Sequence, residues 1–541
     1  MAPGYDDMGR DRTFEFETDD EENLAEGGND DDYDSVYNTS SASSSERSEG
    51  SQAFSYSAWP QSYRQSMDMF TSVTPPTVGF LAGSSLGIGS SFLSTSAQRR
   101  PSFQSSEQTL IKPFISVSSL DKEGIQPSQT PASKHSSRRF SYQELPPTQE
   151  CSYFQSVLNG INVLCGVGLL STPYAVKQGG WISLSVLFIF AGISCYTGIL
   201  LKRCLDSSPG LQTYPDIGQA AFGAPGRLMI AIILYVELYC CCVEYIILMG
   251  DTLSSIFPNA YIDLGGVYLD SHHVFAIMTT LMILPTVWLR DLSVLSYLSA
   301  GGVIASLVVV VCLLWVGGVN QIGFHPAGTP FDLKNFPVAI GLYGFCYAGH
   351  SVFPNIYSSM KEPSQFPAIL ATSFVIVCFL YTGVAICGFL MFGDATESQF
   401  TLNMPQKFVA SRVAVWTTVI NPLSKYALTI TPVALSLEEL LPPALLKSHS
   451  VSVFIRTALV ISTLAVALTI PFFGFVMALI GSILTMLVAF IFPCACYLSI
   501  RRGQLSRLET VSCILILLMG VACSIIGSYS SIAKILQKLG S

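Results

Sequence analysis

Residues 156–181 read SVLNGINVLCGVGLLSTPYAVKQGGW. The stretch is apolar and long enough to cross a bilayer, for which a helix needs about 20 residues to cover ~30 Å of hydrocarbon. Yet Asn162, Gly166, Gly168 and Pro173 fall inside it, where a plain anchor would carry an unbroken Leu/Val run. Gly costs ~1 kcal/mol and Pro ~3 kcal/mol in a helix interior. A break in lipid also frees backbone N–H and C=O groups that must find partners. Two readings stand. One is a Gly-rich face for close helix packing. The other is a broken helix, whose half-helix N-terminus offers partial positive charge to a carboxylate while freed carbonyls suit a cation or an ammonium. The clustering of four disruptive residues favours the break.

Working outward, apolar runs at 153–177, 182–201, 228–250, 273–289, 293–317, 336–357, 367–392, 410–434, 452–471, 474–499 and 509–530 predict eleven spans, each bounded by Gly, Pro or charge. Between the ninth and tenth, Pro471-Phe472-Phe473-Gly474 reads as a tight turn or as a kink. The sixth run, GLYGFCYAGHSVFPNIY, repeats the disturbance of the first, with Gly341, Gly344, Gly349 and Pro354 around His350. First and sixth correspond if the first ten spans form two five-helix repeats. Paired interrupted segments in two halves point to a secondary transporter with a midplane site.

Composition agrees. Half of the 541 residues are hydrophobic, 12% are charged and mean hydropathy is +0.48. A single soluble core stops growing beyond ~250–300 residues, so this much apolar surface needs a lipid solvent. The net charge of −9 is uneven: residues 1–150 hold 11 Lys+Arg and 22 Asp+Glu, or −11, and the remainder hold 17 and 15, or +2. Residues 1–149 are therefore expected to be a disordered, acidic, Ser-rich tail, and 150–541 the transmembrane domain. An acidic balance with no basic cluster argues against nucleic-acid binding. The 15 cysteines all lie at 151 or beyond, mostly in apolar runs, as small apolar side chains in reduced surroundings. In the tail, Arg99-Arg100-Pro101-Ser102 and Arg138-Arg139-Phe140-Ser141 have basophilic-kinase spacing. They make Ser102 and Ser141 candidate phosphorylation positions, and arginines scattered by chance through a Ser-rich tail read equally well. Kinase or trafficking partners would act there. With the tail cytosolic, ten Lys/Arg fall on the cytosolic side and six opposite. That bias predicts a cytosolic N-terminus and, after eleven crossings, a C-terminus on the other side.

Ionisable residues within spans are functional candidates by default. Glu237 and Glu244 lie seven apart on one face of the third span, His350 in the sixth and Lys425 in the eighth. Glu244 and Lys425 read either as a buried ion pair tying helices together or as proton-responsive groups of a coupling machinery. His350 reads either as a packing histidine or as a proton relay. No phosphate-binding loop, HExxH or GxSxG occurs, and the loops are short. An enzyme is not expected, no cofactor is expected, and an ion gradient is left as the energy source.

Asn162, Gly166, Gly168, Leu170, Pro173 and Ala175, then Gly180-Trp181, resemble the first-span signature of the amino acid/auxin permease family. Tyr214-Pro215-Asp216-Ile217-Gly218 with Ala221-Phe222-Gly223 resembles its loop after span two, and Tyr347-Ala348-Gly349-His350 with Pro354 its sixth span. Asn421-Pro422-Leu423-Ser424-Lys425-Tyr426-Ala427-Leu428 resembles the eighth span of the plant vacuolar AVT-type branch. The resemblance implies an all-α, eleven-span membrane protein with a five-plus-five inverted-repeat fold, its first and sixth helices broken. It implies proton-coupled transport of neutral or small amino acids at the vacuolar membrane, with the C-terminus lumenal.

Carried onto this sequence, the resemblance puts the substrate carboxylate near Asn162 and the amides of Gly166, Val167 and Gly168. Tyr343, Phe345 and Tyr347 would line the side-chain pocket. Relatives that use sodium hold it with carbonyls of span one and hydroxyls of span eight; here the Lys425 ammonium would stand in for that cation. The leading expectation is amino acid/proton antiport into the vacuole. The alternatives are proton symport, out of the vacuole or across the plasma membrane, and an amino acid sensor acting through its tail.

Overall fold

Three helices begin where the sequence supplies a reciprocal cap. Ser152 with Gln155, Thr213 with Asp216 and Ser506 with Glu509 each exchange side-chain and backbone hydrogen bonds, satisfying amides that a helix start leaves orphaned. The structure is a computed structural model that describes residues 59–61, 63–64, 66–67 and 151–541, apart from 264, 267, 290–292, 321, 443–444, 446–447 and 541. The chain divides into units 1–54 and 55–541, and all described residues fall in the second. Ser102 and Ser141 lie outside the described residues, as does most of the expected tail.

Helix α1 spans Tyr153–Leu164 and α2 spans Gly168–Gly179, bent by 50° across the residues between them. There follow α3 (Leu184–Leu205) and α4 (Tyr214–Ile256), then a small antiparallel ribbon, β1 (Ile262–Asp263) with β2 (Tyr268–Leu269). Next come α5 (Ser271–Trp288), α6 (Ser293–Gly318), α7 (Phe336–Cys346) and α8 (Phe353–Ser358). The chain goes on through α9 (Phe366–Phe392), α10 (Val409–Glu439) and α11 (His449–Thr469). Helix α12 (Phe473–Ile480) runs through a π-helical stretch, Gly481–Ile491, into α13 (Phe492–Ile500), and α14 (Arg507–Leu539) is last.

The fold is all-helical apart from the ribbon. Among the described residues, eight helices are long and apolar enough to cross a membrane, or nine if the bent α1–α2 pair is one span; the expected number was eleven. Two expected spans fall outside that count for visible reasons. The sixth is split into α7 and α8. The eighth, α10, is a continuous 31-residue helix whose apolar content is diluted by Asn421, Ser424, Lys425 and several threonines. At Pro471 the structure breaks the chain between α11 and α12. Residues 214–222, expected as loop, are helical and join α4 across a kink at Gly223, whose φ is +72°.

Helix α10 lies between α4 and α6, and α2 lies between α7 and α9. These contacts bury both interrupted segments, while large side chains such as Phe379 and Tyr529 face outward at 75% and 78% exposure, as a lipid-facing surface requires. Residues 59–61, 63–64 and 66–67 lie within the expected disordered tail, yet they pack. Tyr63, Ser66 and Met67 are buried against the helices, because Trp59, Tyr63 and Met67 form an apolar repeat within an otherwise Ser-rich stretch.

Candidate functional site

Helix α1 ends where the Gly166 N–H turns back to the Leu164 carbonyl at 3.0 Å. Helix α2 restarts with the amides of Leu169 and Leu170 bonded to the carbonyls of Gly166 and Val167. Between these turns the N–H groups of Val167 and Gly168 have no acceptor among the described residues, and Val167 caps α2 without any side-chain bond. They are the orphan amides of a helix N-terminus, set in the protein interior. The Gly166 amide, expected to share this role, is taken by Leu164.

The freed carbonyls are used differently. The Tyr381 hydroxyl on α9 donates to the Leu164 carbonyl and also sits 3.1 Å from the Cys346 carbonyl at the end of α7. Ser306 Oγ on α6 donates to the Cys165 carbonyl at 3.1 Å. Side-chain donors thus occupy positions where a bound cation was one expectation. The ends of the two broken helices touch: a Cβ on Gly168 would lie 3.1 Å from Cys346 Cα, so a larger residue would push them apart. A Cβ on Gly166 would meet nothing within 4 Å, because that residue faces open space.

That space is a cavity of about 90 Å³ whose lining includes Gly166, Val167, Gly168, Glu237, Tyr245, Phe345, Ser351 and Thr429. It draws on α1, α2, α4, α10 and the α7–α8 segment. A smaller cavity of about 30 Å³ shares Gly166 and Val167 and is walled by Leu170, Ser306, Thr418 and Asn421. The break therefore separates two voids along the bundle. Glu237 is buried, and its Oε1 has no hydrogen-bond partner among the described residues. An ionised carboxylate held there calls for a cationic partner. Orphan amides on one wall and a carboxylate on another match the two ends of a zwitterion.

Beside the cavity, Lys425 Nζ donates to Asn162 Oδ1 at 3.3 Å. Helix α6 passes this pair at Gly302, where a Cβ would lie 2.5 Å from Asn162 Oδ1 and 2.9 Å from Lys425 Nζ. Glu244 is buried, both its carboxyl oxygens lack a partner among the described residues, and no ion pair joins it to Lys425. His350 is buried with Nε2 3.0 Å from Thr197 Oγ1 and 3.1 Å from the Ser194 carbonyl, its ring against Phe353. It ties the interrupted sixth segment to α3.

Of the residues expected at the site, Gly166, Val167, Gly168, Glu237 and Phe345 share one cavity, and Asn162 and Lys425 pair next to it. Tyr343 points to Ser183 on α3's approach, 3.3 Å away, and Tyr347 packs on Phe374 and Tyr381; neither lines the cavity. Thr429, Tyr245, Ser351 and Tyr381 were not anticipated. Thr429 lies one turn beyond Lys425, so the four-residue helical repeat was the signal that could have found it.

The profile of the family described as transmembrane amino acid transporter protein matches residues 149–533. The chain is 55% identical over 497 residues to "Amino acid transporter AVT1C" of Arabidopsis thaliana, covering 89% of this chain and 90% of the relative. It is 54% identical over 535 residues to "Amino acid transporter AVT1B" of the same plant, covering 98% and 99%. A more distant match, 27% identical over 412 residues, is the "Vesicular GABA transporter" of Caenorhabditis elegans, covering 73% and 82%. These relatives are named as transporters, not enzymes. The chain belongs to the transmembrane amino acid transporter family.

Proposed function

We propose that this chain is an eleven-span, five-plus-five inverted-repeat carrier that exchanges protons for neutral or small amino acids at the vacuolar membrane. In this reading the N-terminus is cytosolic and the exchange loads the vacuole. The observation that carries it is the cavity at the first helix break, with the Val167 and Gly168 amides on one wall and the Glu237 carboxylate on another. Its volume of about 90 Å³ equals several waters at ~10–15 Å³ each, which suits a small zwitterion. The amides take the substrate carboxylate, and Glu237 takes the ammonium or, with the site empty, a proton. Phe345 and Tyr245 shape the side-chain end.

Lys425 supplies a fixed positive charge between α1 and α10, held by Asn162, where a coupling cation would otherwise sit. Coupling to protons through Glu237, Glu244 and Lys425 needs no cofactor. The plant relatives named as amino acid transporters support the substrate class; the vacuolar address comes from the sequence resemblance alone.

The test is purified protein in liposomes with an acidic interior and a pH dye inside. Proton efflux that begins only when particular amino acids are added outside is the expected result, and it names the substrates. Proton movement in the same direction as the amino acid would replace antiport with symport. Amino acid binding with no turnover would make the protein a sensor.

A further inference from the structure

Trp59, Tyr63 and Met67 recur every fourth residue; Trp59 lies in non-helical chain, and Tyr63 and Met67 fall one turn apart on one side of the helical turn that follows. That side is buried: Tyr63 is 1% exposed and Met67 0%. Trp59 Nε1 donates to the Ser436 carbonyl near the end of α10 at 3.1 Å. The rings of Trp59 and Tyr63 lie 5.6 Å and 5.9 Å from the ring of Tyr235 on α4, two residues before the cavity residue Glu237. The Tyr63 hydroxyl donates to the Ser351 carbonyl at 3.1 Å, and Ser351 lines the cavity. The segment therefore spans the gap between α4, α10 and the α7–α8 interruption, at the end of the bundle where α4 begins and α10 ends.

It is also latched there. Arg227 of α4 donates through Nε to the Trp59 carbonyl and through Nη2 to the Pro60 carbonyl, both at 3.1 Å. The same guanidinium pairs with Asp216, which caps the start of α4 through Thr213. The Gln61 N–H donates to Glu439 Oε1 at 2.8 Å. Asp216 belongs to the Tyr214–Gly218 motif, to which the transport site gives no task; here it orients the arginine that holds two tail carbonyls. Charged hydrogen bonds of this kind are the stronger ones.

We propose that residues 59–67 are a built-in plug, which closes the tail-side mouth of the cavity and must leave before the cavity opens at that end. This deepens the reading of the cavity as the substrate site and rests on it. The partner of the mouth is this chain's own segment, recognised by two aromatic anchors and a guanidinium that reads backbone carbonyls.

The test compares the full-length protein with its Trp59→Ala/Tyr63→Ala variant. Cys241 lines the cavity, and its modification by a charged methanethiosulfonate is followed at that residue by mass spectrometry. We expect labelling at least about tenfold faster in the variant, the factor that ~1.4 kcal/mol sets on an opening equilibrium. Labelling of Cys494, which is buried elsewhere, should not change. A peptide of residues 55–70 should slow the variant's Cys241 again. Unchanged Cys241 labelling overturns the plug. Faster labelling of Cys494 as well, or a lower melting temperature without faster Cys241 labelling, makes the segment a structural brace and also overturns it. If Cys241 responds as expected but neither protein moves amino acids in liposomes, the plug stands and the transport reading falls.

Discussion

The two interrupted segments solve the same problem to different degrees. The first break is short, bends the chain by 50°, and leaves the amides of Val167 and Gly168 open while side chains from α6 and α9 take its carbonyls. The second runs from Tyr347 to Val352 and closes partly on itself, while the Tyr381 and Tyr63 hydroxyls take the Cys346 and Ser351 carbonyls. Tyr347 bonds to Gly344, Ala348 to Phe345, Gly349 to Tyr347 and Val352 to Gly349, all through backbone turns. A helix break in lipid must satisfy its backbone somehow. Amides left without an acceptor stay available to a ligand, and at the first break those of Val167 and Gly168 belong to residues that line the cavity. The first break thus presents backbone donors, and the second presents a wall: Phe345, Ser351 and Val352.

The sharpest way to break this contrast is to fill the first segment and perturb the second. Gly166→Leu places a side chain into open cavity without a backbone clash. Amino acid flux should fall by ~100-fold or more, about 2.7 kcal/mol, with the melting temperature held within a few degrees. Gly349→Ala meets only the side chains of Leu164 and Phe353, so its flux should fall by less than about tenfold, a loss under ~1.4 kcal/mol. Equal losses would erase the distinction between the segments.

Lys425→Ala tests the tie beside the first break. Gradient-driven uptake should fall by roughly 30-fold, about 2 kcal/mol, while exchange of labelled for unlabelled amino acid persists; loss of both would make Lys425 structural. Tyr381→Phe strips a hydroxyl that reaches carbonyls of both segments. Leaving buried carbonyls unpaired should cost about 1–3 kcal/mol of stability, seen as a lower melting temperature, with flux reduced less than in Gly166→Leu. The smallest effect is expected from His350→Gln. Its bonds run to α3, away from the cavity, so it should lose ~1 kcal/mol of stability and leave the pH dependence of flux unchanged. A shifted pH dependence would return His350 to the coupling machinery.

The apolar stretches and both breaks were legible because apolar run length and Gly/Pro punctuation act locally, whereas helix ends were not: α4 begins at Tyr214 and α14 runs to Leu539, beyond the expected 228 and 530. Glu237 and Lys425 stood out because charge is rare in lipid. Tyr381 did not stand out: a lone tyrosine in an apolar span reads as core, and its role comes from carbonyls 217 and 35 residues away. Tyr343 and Phe345 looked alike in sequence, yet two residues along a helix turn the side chain by ~200°, so only Phe345 reaches the cavity. The helical turn at 214–222 carried a visible signal in Thr213 and Asp216. The packed residues 59–67 carried another in their four-residue spacing, hidden by the Ser-rich composition around them.

Helix α14 holds 33 residues, about 50 Å at 1.5 Å per residue. Even at the steepest common tilt of ~40° it would cover about 38 Å, more than the ~30 Å of bilayer hydrocarbon. The excess reaches the headgroup layer, where charged and polar side chains such as Lys534, Gln537 and Lys538 in its last turns are at home, while Ile535 stays packed against the bundle.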